Sequence, residues 1–150
     1  GIEKSKGRYI MFIDVDDYIE KDLLNKLEKY MNKEIELIKY KMKIIEKNNI
    51  QKVPSPEFDV TDGQDGFNKL CFKDKYLDSP CLYVIKKELL KRTNLKFSEN
   101  MYHEDFGLIP QIIVNSKTIV STDIYGYNYI QTQNSIMRDN NYSKELKKVI

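Results

Sequence analysis

After a turn at Gly7 the chain enters RYIMFID, a nearly unbroken apolar run that ends abruptly in carboxylates. Such a run over Arg8 to Asp14 predicts a strand covered on both faces within an α/β sheet. From Glu20 the period becomes helical: Leu23, Leu27, Tyr30 and Met31 recur at i, i+4, i+7 and i+8 among charged residues, with Asp22 near the N-terminal end. The period changes again in IELIKYKMKIIE, where Ile38, Tyr40, Met42 and Ile44 alternate with Lys39, Lys41 and Lys43. Strict alternation predicts a strand with one buried and one wet face.

Residues 48–63 carry Pro54 and Pro56 among turn formers and read as a loop, followed by a short helix from about Gln64 to Phe72 and a second loop reaching Pro80. CLYVI predicts a short buried strand and KKELLKRT a helical turn. FGLIPQIIVNS has helical spacing, which Pro110 permits only if it falls in or near the first turn. Thr118 to Gln131 supplies β-rich segments around Gly126, and Tyr125, Tyr127 and Tyr129 alternate at strand spacing, as residues on one packed face would. No internal repeat or low-complexity tract interrupts the pattern. Strands and helices interleaved in 150 residues predict one α/β domain, large enough to bury a core without staples.

Charge narrows the function. The 25 basic and 23 acidic residues nearly cancel, leaving a net +2 that lacks the field of a dedicated nucleic-acid binder. Cys71 and Cys81 have neither CxxC spacing nor a surrounding histidine cluster, which suits buried thiols in a reducing compartment. No run approaches the roughly 20 apolar residues of a membrane span, and no signal peptide precedes the first strand. The expectation is a soluble, cytoplasmic protein, free or peripheral at the inner membrane face. The opening GIEKSKGRYIMF has neither an initiating Met nor a helix cap, so a segment of a longer chain is as compatible as a whole one.

Chemistry concentrates at Asp14-Val15-Asp16-Asp17, directly after the first apolar run. In extended backbone, residues i and i+2 project to the same side, so Asp14 and Asp16 are expected to converge beyond the sheet edge, where open α/β sheets bind ligands. Hard oxygen ligands with open positions suit Mg²⁺ or Mn²⁺ shared with a diphosphate. A solvated acidic turn capping the following helix fits the same residues, and both readings stay open on this motif alone.

The stretch GIEKSKGRYIMFIDVDDYI resembles the segment of family 2 glycosyltransferases in which a Gly-containing turn leads into an apolar strand and a D-x-D-D metal motif. SPCLYVIKKELL, LKFSENMYHEDFGLIPQII and STDIYGYNYIQTQNSIMR resemble, in order, the acceptor-side segment of that family, its ED-bearing helix start and its Tyr-rich closing strand. The resemblance implies a partial GT-A fold, a Rossmann-like mixed sheet flanked by helices. It also implies inverting transfer of a sugar from a nucleotide-sugar donor to a glycan or lipid-linked acceptor, of the kind used in surface polysaccharide or glycoconjugate synthesis. A carboxylate of the ED pair acts as general base in that family, which falls on Asp105 first and Glu104 second; HED also fits a helix cap. The metal site falls on Asp14 and Asp16. Asp17, His103, Ser135 and Arg138 complete the candidate substrate-binding set, His103 being the only histidine and Arg138 suited to bidentate phosphate binding.

Two departures from that pattern matter. The strand–turn–strand that holds the nucleoside in the family has no counterpart in these residues, which makes the donor site incomplete and the segment inactive by itself. The edge so exposed would favour self-association as a homodimer. Around Val84, LYVIKK replaces an Asn-Lys-Leu-type segment, which unsettles the acceptor side. Two alternatives stand beside this reading. One is a non-catalytic remnant that binds a glycan or a partner. The other is a haloacid-dehalogenase-type phosphatase, disfavoured because Tyr18 occupies the place of its usual Thr or Val.

Overall fold

A computed structural model describes residues 2–47, 49–71, 79–95 and 107–131. In chain order the elements are β1 (Tyr9–Met11), β2 (Tyr18–Ile19), α1 (Leu23–Met31), β3 (Leu37–Glu46), β4 (Asn49–Lys52) and β5 (Phe58–Thr61). They continue with α2 (Gly63–Cys71), a short 3₁₀ turn at Pro80–Leu82, β6 (Tyr83–Lys86), α3 (Lys87–Thr93), α4 (Leu108–Asn115) and β7 (Ile119–Ile130). All the described strands join one mixed sheet in the order β1-β6-β3-β7-β2, with β4 added to β3 and β5 to β7. Among the described residues only β3 and β7 run parallel, from Leu37↔Ile119 to Ile45↔Ile130.

Most helices fall where the apolar period put them. Leu23 and Leu27 of α1 are fully buried, and Pro110 is the third residue of α4, inside the first turn, where its missing N–H costs nothing. Asp22 holds the N-cap position of α1 but makes no side-chain cap; it pairs with Lys26 at 2.8 Å instead. The core runs through Leu37, Ile38 and Tyr40 of β3, Ile85 of β6, Leu89 of α3 and Ile113 of α4, each fully shielded from solvent. Gly63 lets α2 start against the end of α4, since a Cβ there would lie 2.1 Å from the Ile113 carbonyl oxygen. Glu36, just before β3, joins three elements: it accepts both nitrogens of the Arg92 fork from α3 at 2.7 and 2.9 Å and the Lys117 N–H at 2.7 Å. Burial alone would raise the Glu36 carboxyl; Arg92 and the Lys117 N–H outweigh it and hold it below its ordinary value.

Three expectations give way. The run Arg8 to Asp14 is not one central strand. Only Tyr9–Met11 is β structure, it pairs with β6 alone at one end of the sheet order, and Phe12 to Asp14 leave the sheet toward a turn. The proline-bearing stretch is not simply a loop, because β4 and β5 flank it; Pro54 and Pro56 lie between those strands, where no ladder N–H is needed. The supposed wet face of β3 is covered as well. Lys39 and Lys41 are 1% and 6% exposed, because the β4–β5 connection folds over them. Ser55 Oγ accepts from Lys39 Nζ at 2.8 Å, Glu57 takes Lys41, and the Pro56 carbonyl accepts from Ser121 of β7. Alternation reports which side chains share a face, and cannot report that a later segment will return to cover the polar one.

Among the described residues no carboxylate pairs with Lys39. Burial first, and the nearby Lys41 charge second, push its ammonium down to about 8. An unfolded lysine titrates near 10.4, so between those values the unfolded chain binds more protons and stability rises with pH. Lys39→Met is therefore expected to raise the unfolding free energy at pH 7 by on the order of 2 kcal/mol, an advantage that shrinks toward pH 10. Urea unfolding at the two pH values measures it, and destabilisation at both would show that the ammonium is held favourably.

Candidate functional site

The DVDD motif lies past the end of β1 in a hydrogen-bonded turn, closed by the Asp17 N–H donating to the Asp14 carbonyl at 3.1 Å. This differs from the extended geometry expected of the strand end. Val15 and Asp16 occupy the corners of the turn, and Val15 is completely solvent-exposed. Asp14 and Asp16 are exposed too, while Asp17 is half-buried. Asp14 and Asp16 are thus carried by a turn, not by the two-residue repeat of a strand.

The turn is fastened to β7. Tyr127, 3% exposed, donates its hydroxyl to Asp17 Oδ2 at 2.8 Å and accepts the Asp14 N–H at 3.2 Å. The other oxygen of Asp17, Oδ1, accepts the Ile130 N–H at 2.8 Å. Directly after the turn, β2 adds Tyr18↔Asn128 and Ile19↔Tyr127 to the same strand, and the Glu20 N–H bonds the Gly126 carbonyl at 2.9 Å. Burial pushes the Tyr127 phenol far above its ordinary value, and the Asp17 carboxylate it donates to adds to that. The Cys81 thiol lies against this group: burial raises it most, and both Tyr127 and Asp14 interact with it.

The tyrosine series does not form one face. Lys41 is opposite Tyr125 and Met42 opposite Tyr127, so one step on β3 matches two on β7. That bulge, centred on Gly126, turns Tyr125 to the lysine side, where the Lys41 and Lys52 ammoniums sit 5.3 and 5.0 Å from its ring centre. Tyr127 stays on the Met42 side. Gly126 is required for a second reason: a Cβ there would lie 2.3 Å from Leu23 Cδ1, so α1 could not approach the bulge.

On the lysine side, a cavity of about 420 Å³ is lined by Glu20, Lys43, Lys52, Asp123 and Tyr125, among others. Glu20 accepts from Lys43 at 2.7 Å and from Asn128 at 3.1 Å, and these two bonds hold its carboxyl below its ordinary value. Among the described residues, Asp14, Asp16 and Asp17 do not line this cavity; the turn that carries them is tied to Tyr127, on the opposite side of the sheet.

Glu104 and Asp105, together with His103, Ser135 and Arg138, lie outside the described residues. Of the expected site residues the structure therefore locates Asp14, Asp16 and Asp17. Both oxygens of Asp17 are engaged by β7, so this residue has a structural task whatever it does toward a substrate. Among the described residues no three His, Cys, Asp or Glu side chains gather as a ready metal cage. Two exposed carboxylates on one turn nevertheless fit Mg²⁺ or Mn²⁺, ions that usually take one or two carboxylates and complete their shells with water and substrate phosphates. Tyr127 and Cys81 were missed as site residues. The signal available for Tyr127 was a phenol at a core position, which needs a polar partner when buried.

No described helix is long and apolar enough to cross a membrane. Among solved structures, the chain superposes on S. aureus TarS 1–349 in complex with UDP-GlcNAc with a TM-score of 0.72 at 18% identity, covering 99% of this chain and 43% of that one. The complex of the same fragment with UDP gives 0.68 at 20% identity, covering 87% and 38%, and the longer TarS structure gives 0.69 at 21% identity, covering 87% and 23%. At these identities the likeness shows the fold, the α/β mixed sheet of GT-A type in part, and this chain spans less than half the length of those chains. A sequence comparison with curated proteins returned no match.

If Asp17 serves the fold and Asp16 does not, stability should separate them. Asp17→Ala, which strands the Ile130 N–H and the Tyr127 hydroxyl, is expected to cost about 1–3 kcal/mol, whereas Asp16→Ala should stay within about 0.5 kcal/mol. Denaturant midpoints of the two variants decide it, and equal losses would contradict the division of roles.

The model of glycosyl transferase family 2 matches residues 1–93, beginning before the turn and running to the end of α3, which displaces the phosphatase alternative: the chain belongs to glycosyl transferase family 2.

Proposed function

We propose that this chain carries the metal- and acceptor-side part of an inverting glycosyltransferase that moves a sugar from a nucleotide-sugar donor to an acceptor hydroxyl. The observation that supports this most is the exposed Asp14/Asp16 pair on a turn fastened to the central sheet of a family 2 chain. TarS was crystallised with UDP and with UDP-GlcNAc, which makes a nucleotide-sugar donor the natural expectation here. Bacterial surface polysaccharide or glycoconjugate synthesis is the setting that the family resemblance suggests.

In the proposed reaction the acceptor oxygen attacks the anomeric carbon from the face opposite the diphosphate. The new C–O bond forms as the bond to the diphosphate oxygen breaks, and the configuration inverts. The acceptor proton passes to a carboxylate, assigned to Asp105 with Glu104 orienting the acceptor, and the nucleoside diphosphate departs with the bonding pair. Asp14 and Asp16 would hold Mg²⁺ or Mn²⁺, which when bound neutralises charge gathering on the departing diphosphate. His103, Ser135 and Arg138 are proposed to face the donor phosphates, Arg138 as a bidentate donor. Donor capture is proposed to need the nucleoside-holding strands of the family in addition to these residues, so residues 1–150 alone should be inactive.

The full-length protein tests this. Asp16→Asn is expected to abolish divalent-metal-stimulated transfer while leaving the thermal midpoint unchanged. Asp105→Asn should lower turnover by about 10²–10⁴ with little change in donor affinity. Undiminished turnover of Asp16→Asn at limiting Mn²⁺ would remove the metal assignment. A dead Glu104→Gln beside an active Asp105→Asn would exchange the two roles.

A further inference from the structure

We infer that Tyr127 is the positioning residue of the DVDD turn: through Asp17 and the Asp14 N–H it fixes the direction in which Asp14 and Asp16 present their carboxylates. The inference rests on the metal reading proposed above. It begins from a count of bonds. A tyrosine hydroxyl has one proton to give; Tyr127 gives it to Asp17 Oδ2, and the oxygen then accepts the Asp14 N–H. One buried oxygen thus holds the first and last residues of a four-residue turn, which the turn's own Asp17 N–H to Asp14 carbonyl bond closes from inside.

The anchor beneath it is rigid. Tyr127 sits in β7 between its pairing with Met42 of β3 and its pairing with Ile19 of β2, and Gly126 beside it is pressed against Leu23 of α1. Ile130, three residues further along β7, takes the remaining oxygen of Asp17. Both oxygens of Asp17 are therefore bonded inside the protein, while Asp14 and Asp16 are solvent-exposed. The Cys81 thiol interacts with both Tyr127 and Asp14. A flexible turn bearing four residues with three carboxylates would repel itself and scatter its ligands. A turn pinned at both ends offers them in one arrangement, and groups that orient ligands in this way commonly carry 10–100-fold of metal affinity.

The test uses the full-length protein and two readouts that do not need turnover. Hydrogen–deuterium exchange of peptides covering residues 12–19 reports the turn without metal, and electron paramagnetic resonance of Mn²⁺ alone reports affinity. Tyr127→Phe is expected to speed exchange in that peptide about tenfold or more, leave peptides of β3 unchanged, and raise the Mn²⁺ concentration for half-saturation about 10–100-fold. A merely structural role would loosen β3 as well and leave Mn²⁺ affinity intact, and that result would overturn the inference. So would exchange and affinity both within twofold of the parent. Should Tyr127→Phe not fold, Asp17→Asn serves, because it keeps an oxygen for the Ile130 N–H while setting a donor against the Tyr127 hydroxyl; the same two changes are expected. If the parent itself binds no Mn²⁺ while exchange still quickens only in residues 12–19, the metal reading falls and the positioning of the turn stands.

Discussion

The parallel pairing of β3 with β7 joins two stretches far apart in the chain, and nearly every other feature hangs on it. Such a contact cannot form until everything between its strands has been brought out of the way, since parallel neighbours need a long crossover. Here that crossover contains β4, β5, α2, β6, α3 and α4. β6 returns to the free side of β3, and β5 to β7. The core residues Leu37, Ile38 and Tyr40 lie on β3, between these neighbours. The Glu36 carboxylate, with Arg92 and the Lys117 N–H, secures the end at which the two strands start.

The other end of the pairing holds the DVDD turn. The bulge at Gly126 lets β7 divide its tyrosines between the two sides of the sheet, sending Tyr125 to the lysines and Tyr127 to the DVDD turn. It also admits Leu23, so the helix following the turn is seated by the same glycine. A motif that reads as four adjacent residues near the start of the chain is therefore organised by a strand near the end of the described region. That dependence gives a physical reason for this chain to combine an acidic turn with a Tyr-rich strand β7.

Period and punctuation made much of this legible. The helical spacing of Leu23, Leu27, Tyr30 and Met31 corresponds to α1, Pro110 falls in the first turn of α4, and the alternation from Ile38 to Ile44 is strand β3. What escaped was long-range. No local pattern tells that residues 53–57 will cover Lys39 and Lys41, or that an extra residue in β7 will part Tyr125 from Tyr127. The DVDD motif was recognisable as a unit, but its geometry was not: strand spacing suggested convergence of Asp14 and Asp16, and a turn held by distant bonds provides their placement. Asp17 shows the limit most clearly, because a carboxylate beside two candidate metal ligands reads as a substrate-binding group until the bonds of both its oxygens to β7 are known.

Binding of a divalent cation at this turn is the claim on which the proposed chemistry stands. Titrating Mn²⁺ into isotopically labelled protein and following paramagnetic broadening of the amide signals tests it directly, because the ion broadens whatever lies near it even when affinity is weak. Broadening centred on Asp14 to Asp16 and reaching Cys81 is expected. Broadening centred instead on the acidic stretch Asp59 to Asp65, or on Glu20 and Asp123 around the cavity across the sheet, with residues 14–16 left sharp, would contradict it.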